Sequence, residues 1–344
     1  METAPIFIIG TERSGSNLLR LILNSHSAIA VPHPPHILKF FAPLEASYGD
    51  LTRPAAMDQL VADVLGLLKA HIHPWETAMD PGQILAASPP TLVGLFFTLY
   101  DYYRVQKGKR RWGCKSTFVI HYWQRILAAC PAARFILLVR DPRDVAVSSR
   151  RSIFSPFHPW FTARLWRGQQ LEGVKLLESA SQENVHLLRY EQLIESPEAT
   201  VKALCCFLGE SYEPAMLAFH QTRAAQKSSA LSTSWHNVGS PIRTDNRNTY
   251  KKGLSQEELR LVEGVCGDLM ARFGYPLELP SQGPPWPAAA PSPLRWSGYW
   301  LLDWWWRIGV EFHALRHDRN YRLHWRRRFY LLRLRLWRRL AGRG

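Results

Sequence analysis

The sequence lacks a long apolar run. Its hydrophobic content of 46% is spread over short segments, and Asp303 and Arg307 interrupt the best candidate for a membrane span. No stretch therefore reaches the roughly 20 apolar residues that a membrane-spanning helix needs. Apolar residues also begin at Pro5, which favours a chain without a signal peptide. These absences predict a folded cytoplasmic protein rather than a membrane-spanning or exported one.

Cysteine is scarce, and so are acidic residues near the C-terminus. The five cysteines are odd in number and none has C-x-x-C spacing, which favours free thiols in a reducing compartment. Residues 294–344 contain thirteen arginines but only three acids, so they hold +10 of the total charge of +15. The remainder is modestly basic, which suits an anionic cofactor, and no nucleic-acid partner is expected.

The segment Gly10–Asn17 has the Gly-x-x-x-x-Gly spacing of a phosphate-binding loop but not its usual side chains. Ser16 stands where a nucleoside-triphosphate loop has lysine, and Asn17 where it has the Mg²⁺-binding Ser or Thr. Backbone amides at such a turn, followed by a helix N-terminus, still favour an anion. The loop therefore predicts a phosphate-like group bound without metal and argues against a phosphotransferase. The residues predicted to hold it are Arg13, Ser14, Gly15, Ser16 and Asn17.

Apolar runs alternating with amphipathic segments predict an α/β fold with a central, mainly parallel sheet flanked by helices. The predicted strands are Ile6–Ile9, Trp112–Lys115, Arg134–Val139 and Val185–Leu188. The predicted helices are Ser16–Asn24, Met57–Ala70, Thr91–Val105, Trp123–Cys130, Asp141–Arg150, Pro197–Leu208 and Ser255–Phe273. We divide the chain into a catalytic domain (1–279), a Pro/Ala-rich linker (280–293) and a helical tail (294–344).

A second anion-binding motif follows the strand Arg134–Val139. Arg140 ends that strand and Ser148 comes eight residues later, in the predicted helix. The planar fork of an arginine matches phosphate oxygens, so the pair predicts a second phosphate site. The alternatives are an Arg140 that pairs with Asp141 or Asp144 and an ordinary helix serine.

Taken together, the two motifs resemble those of the sulfotransferases that use 3′-phosphoadenosine-5′-phosphosulfate (PAPS), in their Golgi-type and bacterial branches. Residues 11–17 are similar to the family's 5′-phosphosulfate loop, and residues 134–148 to its 3′-phosphate motif. Residues 112–116 resemble a segment that often ends in Lys-Thr-Pro. The resemblance covers roughly residues 5–275. It implies a P-loop-like parallel sheet, PAPS as cofactor without a metal, and in-line transfer of a sulfuryl group to a hydroxyl-bearing acceptor.

The resemblance also implies a general base, which is Glu or His according to the branch. The segment 30–36 contains His33 and His36 and no acid follows until Glu45, so His36 is the first candidate and His33 the second. The alternative is that both histidines only line a rigid turn, and His121 is a third choice. Lys115 is predicted to assist the leaving group, against the alternative of a solvated strand end.

The tail combines tryptophan and arginine. In its last helix an apolar stripe recurs at helical spacing, with arginines over much of the remaining surface: Trp325, Phe329, Leu332, Leu336 and Leu340. A basic amphipathic helix of this kind predicts peripheral binding to an anionic membrane. The alternative is that the stripe packs on the catalytic domain or on a second subunit. A membrane-tethered, non-catalytic nucleotide-binding adaptor is the second function class considered.

Overall fold

The computed structural model describes residues 3–153, 155–279, 292–318 and 321–341. Its centre is a five-stranded sheet with the order β2-β3-β1-β4-β5, in which every neighbouring pair is parallel. The strands are β1 (Ile6–Gly10), β2 (Ile29–Ala30), β3 (Arg111–Lys115), β4 (Arg134–Val139) and β5 (Val185–Arg189). The predicted α/β fold with a parallel sheet is confirmed. The two-residue edge strand β2 was not predicted.

Helices cover both faces of the sheet. Seven of them match the predicted helices with ends that differ by no more than three residues. The helices are α1 (Ser16–Asn24), α2 (Ile37–Phe41), α3 (Pro54–Ala70), α4 (Pro81–Ala87), α5 (Leu92–Gln106), α6 (Trp123–Ala129), α7 (Pro142–Ser149), α8 (Pro159–Ser179), α9 (Tyr190–Glu195), α10 (Pro197–Leu208), α11 (Arg223–Leu231), α12 (Tyr250–Gly253), α13 (Gln256–Arg272), α14 (Pro293–His317) and α15 (Tyr321–Ala341).

The side chains of β1 alternate between two apolar cores, because successive residues of a strand point to opposite faces. Ile6 and Ile8 pack with α1, α9 and α10, whereas Phe7 and Ile9 join the larger core formed with α3, α5, α8 and α13. All four side chains are fully buried. The sheet is therefore covered on both sides, and its strand ends open toward the loops that follow β1, β3 and β4.

The tail forms two helices, α14 and α15. The second packs on α3: Leu331 and Leu334 enter the larger core, and the buried Arg338 donates to the Asp63 carboxylate at 2.5 and 3.0 Å. Of the predicted linker, residues 280–291 lie outside the described part of the chain, and α14 begins at Pro293. The three-part division of the chain stays a prediction.

The predicted apolar stripe of α15 does not make this contact. Its members are 52–70% exposed, so the helix packs on the domain through a different face. From the sequence, membrane binding and packing on the catalytic domain were alternatives for the last helix. In the structure, α15 packs on the core with one face and leaves another face open to solvent. No helix within the described ranges is long and apolar enough to cross a membrane. The five cysteines are free thiols.

Candidate active site

The loop between β1 and α1 has the backbone that its glycine spacing predicts. Gly15 has φ 87°, and a Cβ there would lie 2.4 Å from the ring of Tyr190, so the position requires glycine. Arg13 also has a positive φ, 69°, an uncommon conformation for a residue with a side chain. The amides of Gly15, Ser16 and Asn17 lie at the start of α1, where a helix offers them no acceptor of its own.

Ser14 differs from the other loop residues. Its amide donates to the carbonyl of Thr11 at 3.3 Å, closing the turn. The side chain is fully buried, and Ser14 is not part of the cavity wall described below. The amide of Ser14 thus shapes the turn, and a role for Ser14 in binding an anion stays a prediction.

The two predicted anion-binding motifs touch each other. The Nε of Arg13 donates to the Ser148 hydroxyl at 3.2 Å, and a guanidinium nitrogen of Arg140 donates to the Arg13 carbonyl at 3.0 Å. Arg140 also donates to the Asn246 carbonyl at 3.0 Å and lies 4.4 Å from the centre of the Tyr190 ring. Residues 135 positions apart in sequence therefore form one continuous cationic surface.

The acidic neighbours of Arg140 are bound elsewhere. Asp141 accepts from Arg143 at 2.7 Å, and Arg143 also donates to Glu263 at 2.7 Å, forming a buried network. Asp144 accepts from the backbone amides of Asn248 and Tyr250. The alternative in which Arg140 pairs with Asp141 or Asp144 is therefore not what the structure has, and Arg140 stays available to a ligand.

Several buried donors in this region lack a partner. Within the part of the chain that the structure describes, these are Arg140 Nε, Asn17 Nδ2 and the Ser14 hydroxyl. The Asn17 Oδ1 is fixed by Arg20, which donates to it at 2.8 Å, and this leaves the amide nitrogen of Asn17 free to donate. Unpaired buried donors are costly in free energy. The β1–α1 loop together with Arg140 and Ser148, which we call the cradle, therefore fits a ligand rich in phosphate-like oxygens.

A cavity of about 640 Å³ opens beside this surface. Every predicted site residue except Ser14 lines it: Arg13, Gly15, Ser16, Asn17, His33, His36, Lys115, Arg140 and Ser148. Glu12 is the one carboxylate among the described lining residues. The cavity therefore joins the loop, the ends of β3 and β4, and the segment that follows β2.

His36 is held by a hydrogen bond between its Nδ1 and the Ser116 hydroxyl, at 2.8 Å. It too has a left-handed backbone, with φ 59°, and such strain is frequent at functional sites. Burial, together with the charges of Lys115 and Lys39, lowers the pKa of His36 well below 6.5. The imidazole is neutral at pH 7. When its Nδ1–H donates to Ser116, Nε2 carries the lone pair that a base needs.

His33 has no comparable orienting contact. Both of its ring nitrogens are buried, and no described residue forms a hydrogen bond with them. Its ring packs against His71, His73 and Trp235, with centroids 4.9–5.2 Å apart. Burial and the neighbouring charges lower its pKa well below 6.5. His121, the third choice, is exposed and is not part of the cavity wall.

Lys115 and Glu12 form the chemically distinctive part of the wall. Burial, reinforced by Arg20, lowers the pKa of Lys115 to about 8, so at pH 7 it is still mostly a cation. Burial raises the pKa of Glu12, although Lys39 and Lys115 oppose this, and the Ser155 hydroxyl donates to its carboxylate at 3.2 Å. Glu12 was not among the predicted bases, because it lies inside the loop and not in the segment after α1.

No metal-ligand cluster is present in the described ranges, which contain no group of three or more His, Cys, Asp or Glu residues that is arranged to hold an ion. The cations of the cavity wall come from side chains instead.

A parallel α/β sheet with a P-loop-like cradle for oxyanions at its carboxyl edge defines the class of this protein. Residues 5–214, more than half of the chain, match the sequence profile described as the sulfotransferase family. The chain belongs to the sulfotransferase family.

Solved structures agree with this fold. The sulfotransferase domain of the Synechococcus PCC 7002 olefin synthase is 20% identical, with a TM-score of 0.53, covering 81% of this chain and 96% of that domain. A sulfotransferase domain from the curacin biosynthetic pathway is also 20% identical, with a TM-score of 0.54, covering 80% and 99%. Identities at this level establish the fold alone.

Two curated relatives match this chain over only part of their own length. The nodulation protein NoeE of Sinorhizobium fredii (strain NBRC 101917 / NGR234) is 24% identical over 300 residues, covering 78% of this chain and 65% of that protein. An uncharacterized protein of Aquifex aeolicus (strain VF5) is 24% identical over 239 residues, covering 66% and 28%. The chain thus spans less than two thirds of the length of either relative.

Proposed function

We propose that this protein transfers a sulfuryl group from PAPS to a hydroxyl of an acceptor, which is a carbohydrate, a lipid, a glycolipid or a small molecule. The observation that carries the proposal is the joined surface of Arg13, Ser148 and Arg140, with unpartnered donors beside it. A ligand with phosphate groups at two separate points satisfies both motifs at once. Bound there, PAPS supplies an activated sulfuryl group, with adenosine 3′,5′-bisphosphate (PAP) as the leaving group.

The two motifs bind different groups of PAPS. Arg140 and Ser148 bind the 3′-phosphate, while Arg13 and the amides of Gly15, Ser16 and Asn17 bind the 5′-phosphosulfate. Lys115 supplies a cation where negative charge develops on the leaving group, which is the largest electrostatic aid available to such a reaction. The cations of the chain meet this need, and no metal is required.

His36 is the proposed general base, with His33 as the weaker candidate. Its hydrogen bond to Ser116 orients the ring, and its neutral state allows it to take the acceptor proton. Negative charge brought by a bound anion favours the imidazolium that then forms. Glu12 is the rival base, since burial raises the pKa of its carboxyl and it lines the same cavity.

The test is a transfer assay with radiolabelled PAPS and a panel of hydroxyl-bearing acceptors, in the presence of EDTA. We expect labelled product and PAP from the wild type. We expect His36→Gln to lower kcat by about 10²- to 10⁴-fold, the usual contribution of a general base, with PAP affinity unchanged. Glu12→Gln is the matched variant: a larger loss there would reassign the base. PAP binding without any turnover would favour the non-catalytic adaptor.

We further propose an anionic membrane surface as a partner of the tail. Within the described parts of α14 and α15, fourteen large apolar or aromatic residues have at least half of their surface in solvent: Leu294, Trp300, Leu301, Leu302, Trp304, Trp305, Phe312, Leu315, Trp325, Phe329, Leu332, Leu336, Trp337 and Leu340. The thirteen arginines of residues 294–344 supply complementary charge. A peripheral position at the bilayer follows, and it makes a lipid or glycolipid acceptor attractive.

A further inference from the structure

The tail contributes to the wall of the proposed catalytic cavity. Arg307 from α14 and His324, Arg327 and Arg328 from α15 line it together with the loop residues. These positions lie beyond residue 214, where the match to the family ends. Part of the cavity wall thus comes from a segment that lies outside the match to the family.

Arg327 differs from its neighbour Arg328. Arg328 is paired with the Glu311 carboxylate at 3.1 Å. Arg327 has a buried Nε without a hydrogen-bond partner, and among the described residues no carboxylate forms an ion pair with it. Burial and the charge of Arg328 lower its pKa to about 10. A guanidinium in such a position is costly unless an anion from outside the chain completes it.

Lys39 of α2 is another cation of this wall, and it forms no ion pair within the described ranges. Its ammonium lies 3.3 Å from the centre of the Phe118 ring. Burial and the charges of Arg327 and Arg335 lower its pKa to about 8, although the charge of Glu12 opposes this shift, so Lys39 and Arg327 are close enough to interact electrostatically. Both also lie within the electrostatic reach of His36, the proposed base.

We propose that Arg327 and Lys39 together bind a phosphate group of the acceptor, so that the acceptor is a phosphorylated hydroxyl compound and the tail is part of its binding site. The proposal rests on the proposed sulfotransferase activity. The cations of the two cofactor motifs belong to PAPS, and Arg328 has Glu311. Arg327 and Lys39 have no ion pair in the described ranges and are close enough to interact electrostatically, so together they suit a further oxyanion. An anchored phosphate places the acceptor hydroxyl beside His36, which is how positioning lowers a barrier.

The test is a calorimetric titration of the PAP-saturated full chain with inorganic phosphate. With PAP bound, we expect wild type to bind phosphate and Arg327→Gln and Lys39→Gln to weaken that binding about tenfold or more, with PAP affinity unchanged. Arg333→Gln is the matched control, since it removes one charge from an exposed position of the same helix. Lys39→Gln keeps the test decisive if the tail variant fails to fold.

Equal phosphate affinity in Arg327→Gln, Lys39→Gln and Arg333→Gln would overturn this inference while leaving the proposed function intact. Failure of wild type to bind PAP would overturn the proposed function and this inference with it. Competition separates the two sources of such a phosphate. Displacement by glycerol 3-phosphate but not by glycerol supports a soluble acceptor, and displacement only by dihexanoyl phosphatidylglycerol supports a lipid headgroup.

Discussion

At the scale of single residues, charge of one sign dominates the cavity wall. Among the described lining residues there is one carboxylate, that of Glu12, and there are nine lysine and arginine side chains: Arg13, Lys39, Lys115, Arg140, Arg151, Arg243, Arg307, Arg327 and Arg328. Burial, with added repulsion from neighbouring arginines, lowers the pKa of Lys39 and of Lys115 to about 8, although the charge of Glu12 opposes both shifts. A ligand with several negative charges relieves this repulsion, so we expect such ligands to stabilise the folded protein as well as to bind it.

Buried histidines near the cavity make stability depend on pH. Burial lowers the pKa of His71 to about 3 and that of His73 to about 4, and it lowers those of His33 and His36 well below 6.5. In the unfolded chain these side chains gain protons as the pH falls through about 6.5, whereas the folded protein keeps them neutral. The unfolded state therefore binds more protons between about pH 6.5 and 4, and stability falls as the pH falls.

The corresponding measurement is urea unfolding at pH 7.5 and at pH 5.5. We expect lower stability at pH 5.5, and we expect His71→Phe to reduce the pH dependence by about one proton, or about 1.4 kcal/mol per pH unit at most. Stability that stays constant or rises on acidification to pH 5.5 would show that these histidines are not held neutral by the fold.

The two anion motifs were predictable because each is local. The glycine spacing of residues 10–15 and the Arg140–Ser148 spacing lie within one loop and one strand–helix junction. The residues that approach these motifs from elsewhere could not be predicted. Asn246 and Tyr190 contact Arg140 from distant segments, and Arg327 lines the cavity from the tail. Such approaches depend on how helices pack, which short-range spacing does not encode.

At the scale of elements, α15 has two apolar faces with different roles. Leu331 is 8% exposed and belongs to the core, whereas the adjacent Leu332 is 56% exposed. The sequence prediction identified the more aromatic stripe, which is the solvent-facing one. The face that packs includes Tyr321, His324 and the buried Arg338, so polar residues obscured its periodicity.

A pair of substitutions distinguishes the two faces. Leu331→Ala removes buried side-chain volume, and we expect it to lower the free energy of unfolding by about 2–3 kcal/mol. Leu332→Ala is the matched control one residue away, and we expect a change within about 0.5 kcal/mol because that side chain is exposed. Urea unfolding of both variants checks this. Equal effects, or a larger cost at Leu332, would mean that α15 packs through its other face.

Elements with continuous apolar runs were the most predictable. Strand β4, six residues long, is buried throughout its last five, and its predicted ends are confirmed. Helix α8 was missed although it spans 21 residues, because its buried face includes Gln169 and Gln170. Gln170 donates to the Thr11 hydroxyl at 3.0 Å, so this helix helps to hold the loop through polar contacts that an apolar pattern does not reveal.

At the scale of the whole molecule, charge and exposed aromatic side chains concentrate in the tail. The segment 294–344 carries two thirds of the net charge of +15. Aromatic residues favour the bilayer interface, and arginines favour anionic headgroups. We therefore expect the full chain to co-sediment with vesicles that contain phosphatidylglycerol, less strongly at high salt and less strongly with pure phosphatidylcholine vesicles.

A double substitution tests this surface. Phe329→Ser with Leu336→Ser removes two exposed apolar side chains of α15, and we expect vesicle affinity to fall about tenfold or more. Val105→Ser with Leu187→Ser is the control, because both side chains are exposed on the domain rather than on the tail. Equal vesicle binding by the two double variants would contradict a membrane-binding tail. The role of α15 would then be limited to packing on the domain.

The central claim is that the joined surface of Arg13, Ser148 and Arg140 binds a 3′-phosphorylated nucleotide without a metal. Calorimetric titration of the full chain with PAP in EDTA, beside ADP with Mg²⁺, tests it most directly. We expect PAP to bind and Arg140→Ala to weaken that binding by about 10- to 100-fold, since one charge-assisted contact is lost. Preference for ADP with Mg²⁺, or PAP binding that Arg140→Ala leaves unchanged, would contradict the account.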